Sequence, residues 1–109
     1  MNEINLELPN EINILGIPYK IIYVDNPSEV DIFKRESLWG QIDYWTRTIR
    51  IYKKDQPIQD VWHTIIHEIF HGIEEHLKLK CFSEQKGHDE LDIMALAFTD
   101  TLFRNGIIK

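Results

Sequence analysis

After Pro57 the chain carries apolar residues at Val61, Ile65, Ile69, Ile73 and Leu77, with Trp62, Ile66 and Phe70 beside them. Steps of three and four residues put all of these on one broad side of a helix. The spacing predicts an α-helix over residues 58–79, about six turns long. In a chain of 109 residues an element of that size is the spine of the domain, because its apolar side needs a sheet or another helix against it. A second helix is predicted over 89–104, with Leu91, Met94, Ala95, Phe98 and Leu102 as its stripe and Gly106 as its stop. The connecting residues 80–87 read as a polar loop.

Before Pro57 the pattern changes to β-branched and aromatic residues punctuated by Gly and Pro. Ile12-Asn13-Ile14-Leu15 and Tyr19-Lys20-Ile21-Ile22-Tyr23-Val24 read as two strands joined at Gly16-Ile17-Pro18, which makes a hairpin. Asn26-Pro27-Ser28-Glu29 stops the second strand. Residues 28–37 fit either a short helix or a surface loop. Residues 38–45 and Ile49-Arg50-Ile51-Tyr52 alternate and read as third and fourth strands, with a tight connection at Thr46-Arg47-Thr48. The fold class expected is α+β: a small antiparallel sheet of three or four strands packed on two main helices, in a single domain spanning residues 1–109.

Eighteen acidic against twelve basic residues leave a formal charge of −6, which argues against nucleic acid as a direct partner. No apolar run approaches the ~18 residues of a membrane span. Met1-Asn2-Glu3-Ile4-Asn5 lacks the order of a secretory signal. A lone cysteine, Cys81, excludes an internal disulfide and fits a reducing compartment. A cytoplasmic protein is expected.

The long helix contains His67-Glu68-Ile69-Phe70-His71, an H-E-x-x-H sequence. Two histidines four residues apart project from one helix face, one turn above the other, and can meet a single Zn²⁺. Glu68 is displaced around the helix, beside such a metal, where it serves as general base toward a water. Chance alone yields this pattern in roughly one chain of this length in a few hundred. A catalytic zinc takes three protein ligands and keeps one position open. The second helix offers His88, which shares the face of Leu91, as the third ligand. Asp92, one turn further on, is the alternative third ligand. Mn²⁺, Co²⁺ or Fe²⁺ suits the same donor set.

Other residues invite a site role and are read more plainly. His63 precedes His67 by one turn, but each four-residue step rotates by about 40°, so it is expected to drift off the face as a surface histidine. His76 is expected to face solvent. Tyr44 and Tyr52 fit sheet or core aromatics better than oxyanion donors. Trp39, Trp45 and Trp62 fit core or groove lining.

The chain resembles the ImmA/IrrE-type zinc metallopeptidases, more closely their short phage- and prophage-associated members. The resemblance rests on Gly16-Ile17-Pro18-Tyr19, Trp39-Gly40-Gln41-Ile42-Asp43-Tyr44, Ile49-Arg50-Ile51 and Thr64-Ile65-Ile66-His67-Glu68-Ile69-Phe70-His71-Gly72-Ile73 in that order. It implies a minimal zincin-like fold, Zn²⁺ as cofactor and hydrolysis of peptide bonds in a protein substrate such as a mobile-element repressor. The family's third ligand is usually a Glu opening the second helix; that position here is His88, and Asp92 takes the place of the acid that orients a ligand. The alternative from another class is a non-catalytic, zinc-stabilised protein-binding module, with His67, His71, His88 and Asp92 closing the site.

Overall fold

The computed structural model describes residues 8–78 and 87–108, with side chains at 87–89 excepted. The elements are β1 (Glu11–Ile14), β2 (Ile17–Val24), a single 3₁₀ turn (Pro27–Glu29), β3 (Gly40–Asp43), β4 (Thr48–Tyr52), α1 (Ile58–Leu77) and α2 (Gly87–Arg104). Of the predicted loop, residues 80–86 with Cys81 lie outside the described residues, while Gly87 already belongs to α2, which starts two residues earlier than predicted. Among the described residues no helix is long and apolar enough to cross a membrane.

The fold is α+β, with one four-stranded sheet in the order β1-β2-β4-β3. Both hairpin pairs are antiparallel, as expected, but β2 and β4 run parallel, with Ile21 opposite Ile49 and Tyr23 opposite Ile51. The sheet is therefore mixed. Its parallel pair arises because β3 skips one place and β4 turns back into the gap. Alternation along a strand says which face is apolar and nothing of which strand lies alongside.

The turn of the first hairpin falls at Leu15-Gly16, both at positive φ (55° and 89°), one residue earlier than predicted. Two such residues match the right-handed twist of the strands they join. The Asn13 side chain accepts from the Gly16 N–H at 2.6 Å, and Ile17 and Pro18 already belong to β2. β3 ends at Asp43, sooner than expected, because its carboxylate accepts from the Trp45 N–H (3.0 Å) and the Thr46 hydroxyl (2.8 Å) and so bends the chain.

The core lies between the sheet and α1. Ile14, Tyr19, Ile21, Ile49 and Ile51 from the strands meet Val61 and Ile65 from the helix, all buried. Approach is close: a Cβ on Gly72 would stand 2.8 Å from Ile14 and 3.1 Å from Ile42. Helix α2 stacks on the other side of α1 through buried Leu91, Ala95 and Thr99, giving three layers. Of its predicted stripe, Met94 and Phe98 are instead about half exposed.

Residues 25–39 form a tied-down strap. Asp31 is fully buried and accepts from the Phe33 and Arg35 N–H groups, the Arg35 guanidinium and the Gln41 amide. The Arg35 guanidinium holds its carboxyl well below the usual aspartate range. Gln41 also accepts from the Ile32 N–H at 2.9 Å, and Arg50 donates to the carbonyls of Val30 (2.9 Å) and Glu29 (2.6 Å). Both anchors sit on strands, so the strap is fastened to the sheet and delivers Leu38, Trp39 and Gly40 to one side of α1.

Candidate functional site

A cavity of about 720 Å³ opens between β3 and α1. Its helical wall follows one side of α1 from Asp60 through Thr64 to His67, Glu68 and His71; its other wall is Trp39, Gly40 and the start of β3. The predicted pair is brought together: His67 Nε2 and His71 Nε2 stand 3.1 Å apart. Two tetrahedral zinc ligands at about 2.0–2.1 Å from the metal would be about 3.3–3.4 Å from each other. The two imidazoles thus hold nearly the spacing that a shared metal requires, and the donor set fits Zn²⁺.

Asp92, on α2, accepts from His67 Nδ1 at 2.9 Å and from His63 Nε2 at 3.1 Å. A carboxylate takes only N–H donors, so His67 carries a proton on Nδ1, and in the neutral ring Nε2 is then the nitrogen with the lone pair. Asp92 stands across the ring from Nε2, in the position of a carboxylate that orients a ligand histidine. His63 was expected on the surface and instead lines the cavity. The 40° drift is real, but the Asp92 carboxylate reaches both histidines from the neighbouring helix. The spacing of His63 and His67 by one turn was the available signal.

His88 lies in the first turn of α2, but its side chain is outside the described residues. Among the described residues no group of three or more His, Cys, Asp or Glu converges as a ligand set.

Glu68 is buried, 6% exposed, at the cavity wall. Burial pushes its carboxyl up to about 8. Gly40 covers it: a Cβ there would stand 3.0 Å from Glu68 Oε2 and 2.5 Å from Thr64 Cγ2. Only glycine leaves β3 this close to the helix without displacing the carboxylate.

The remaining aromatics divide. The Tyr44 hydroxyl donates to the His71 carbonyl at 3.2 Å, and burial raises its pKa. Tyr52 packs on Trp39, ring centres 5.6 Å apart. Trp39 lines the cavity, while Trp45 is 93% exposed and belongs to neither core nor groove, because it sits at the tip of the β3–β4 turn. Trp62 packs against the core, with its buried indole N–H lacking a partner among the described residues. His76 does not face open solvent. It meets the Tyr19 hydroxyl at 2.5 Å and Arg47 Nη1 at 3.3 Å. The guanidinium only donates, so His76 Nε2 is an acceptor and its proton sits on Nδ1.

A mixed four-stranded sheet backing a helix with a paired-histidine cleft is the class that fold and site define. Compared with known proteins, the chain matches no family model, no curated protein and no solved structure.

Proposed function

We propose that this chain is a small zinc-dependent metallopeptidase that hydrolyses peptide bonds of a protein substrate. The observation that carries the reading is the convergence in one cleft of His67 Nε2 and His71 Nε2, 3.1 Å apart, with buried Glu68 beside them. The resemblance of the sequence to the ImmA/IrrE-type peptidases supports it and suggests a repressor of a phage or mobile element as substrate, in the cytoplasm.

His67 and His71 hold the metal, His88 is the proposed third ligand, and Asp92 keeps the His67 ring in its ligating orientation. Zn²⁺, when bound, supplies a Lewis acid that polarises the peptide carbonyl and makes water acidic near neutral pH. Glu68 accepts the proton of the attacking water and passes it to the departing amine. Its position at the cavity wall, one residue from His67, suits that role. β3 is an edge strand, and its outer row of backbone groups suits an extended peptide laid along the cleft.

The test compares the zinc-loaded parent with Glu68→Gln, co-expressed with candidate repressors. Glu68→Gln keeps its metal and fold, and cleavage falls by about 10²–10⁴-fold. Equal cleavage by both removes Glu68 from the mechanism. No cleavage by either, with an unchanged effect in cells, favours the protein-binding module.

A further inference from the structure

The end of the cleft away from His71 is built differently from its middle. Glu68 is buried and Asp92 is engaged by two histidines. Asp60 also lines the cavity, is exposed, and its carboxylate has neither hydrogen bond nor ion pair among the described residues. The cleft lining holds no Lys or Arg among the described residues. An acid in the first turn of a helix is favoured by the helix dipole wherever it points, so Asp60 alone does not imply a ligand. The second observation is independent. Trp39 is 61% exposed and lines the same cavity, its ring propped on Tyr52. A propped, open indole with an unengaged carboxylate on the same cleft suits one kind of side chain: a cation on an apolar stem.

Resting on the peptidase reading above, we propose that the Asp60–Trp39 end of the cleft binds a lysine or arginine side chain of the substrate. Gly40 lies over Thr64 and Glu68, so Trp39, its neighbour, and Asp60, one turn before Thr64, extend the cleft at the same end. Helix rise places Asp60 about 10 Å along the axis from His67. An extended peptide advances about 3.3 Å per residue, so the basic residue stands about three positions from the bond that is cut.

The test uses the full-length, zinc-loaded Glu68→Gln protein, which binds without cutting. Its ligands are a short blocked alanine-based peptide with one arginine and the same peptide with citrulline, which keeps the shape and lacks the charge. Binding is followed by Trp fluorescence and by nuclear magnetic resonance shifts. The arginine peptide should bind about five- to tenfold more tightly, the size of one partly exposed ion pair plus one cation–π contact. The preference should shrink as salt rises. Asp60→Asn should bring the two affinities together, and Asp60→Glu should restore the difference. Equal binding of the two peptides, or a preference that survives Asp60→Asn, overturns the proposal, as does failure of both to bind at millimolar concentration. Because binding is read on a variant that cannot cleave, these results are separate from any failure of the parent to hydrolyse peptides.

Discussion

The two helices are held in unequal ways. α1 is gripped on two sides, by the sheet through Val61 and Ile65 and by α2 through Leu91 and Ala95. Among the described residues α2 is gripped chiefly on one, by α1. Its remaining surface shows Ile93, Met94 and Leu96 to solvent, each more than half exposed. The two histidines and the proposed base all sit on the doubly held helix. The singly held helix contributes Asp92, whose bonds to His63 and His67 are also part of what fixes α2 in place. The proposed chemistry thus sits on the helix with contacts on two sides, and α2 supplies the carboxylate that bonds His63 and His67. A metal that engaged both helices would couple ligand binding to the docking of α2.

The sharpest way to break this comparison is to weaken each helix in turn. Ile65→Ala, in the fully buried seam between α1 and the sheet, is expected to lower unfolding free energy by about 2–5 kcal/mol. Leu96→Ala, 52% exposed on α2, is expected to change it by less than about 0.5 kcal/mol. Urea titration of both variants checks the contrast, and equal losses would mean that α2 is as deeply held as α1.

Next in size, on the proposed metal-site reading, is the effect of α2 on Zn²⁺ binding. Asp92→Ala is expected to weaken Zn²⁺ binding about 10–100-fold while the fold persists. His63→Ala, which touches His67 only through the Asp92 carboxylate, should weaken it less. Competition against a chelating dye measures both. A larger loss from His63→Ala would make His63 a ligand and Asp92 its support.

Acid tests the sheet side. The Asp31 carboxyl is depressed chiefly by the Arg35 guanidinium, so its contribution is full above the ordinary aspartate value of 3.8 and is lost as the pH falls below it. Asp31→Asn should therefore be less stable than the parent at neutral pH, with a gap that narrows in acid. A gap that stays constant with pH would show that the hydrogen bonds of the strap, and not the charge of Asp31, do the holding. The smallest effect is expected at the first turn. Leu15 is 56% exposed and adopts φ 55°, a conformation that asparagine tolerates better. Leu15→Asn should raise stability by about 0.5–1 kcal/mol, read as a higher Tm.

What the sequence made legible follows this same division. The periodicity of α1 and its histidine pair needed only helix geometry, and both lie where the spacing put them. Strand positions were readable to within a residue or two, because alternation and turn residues are local. The parallel pairing of β2 with β4 was not, since it depends on which gap β4 enters. His63 and His76 were misjudged for one reason. Their partners, Asp92 on another helix and Arg47 at the β3–β4 turn, are distant in sequence and become neighbours only after packing. Polar residues at half-buried seams carry no periodic signal of their own.

The skipped strand also bears on how the chain reaches its structure. The β1–β2 hairpin and α1 form from neighbours in sequence, but β2 meets β4 only across residues 25–47, and closing a loop of that length costs entropy before any contact repays it. The β3–β4 hairpin is as local as β1–β2, so the β2–β4 pairing is the one long-range join that makes two hairpins into a single sheet. Arg50 of β4 clasps the carbonyls of Glu29 and Val30, just past the end of β2. In the folded chain the clasp fastens β4 to the segment that leaves β2, so the long-range β2–β4 pairing is held by side-chain bonds to Glu29 and Val30 as well as by its ladder.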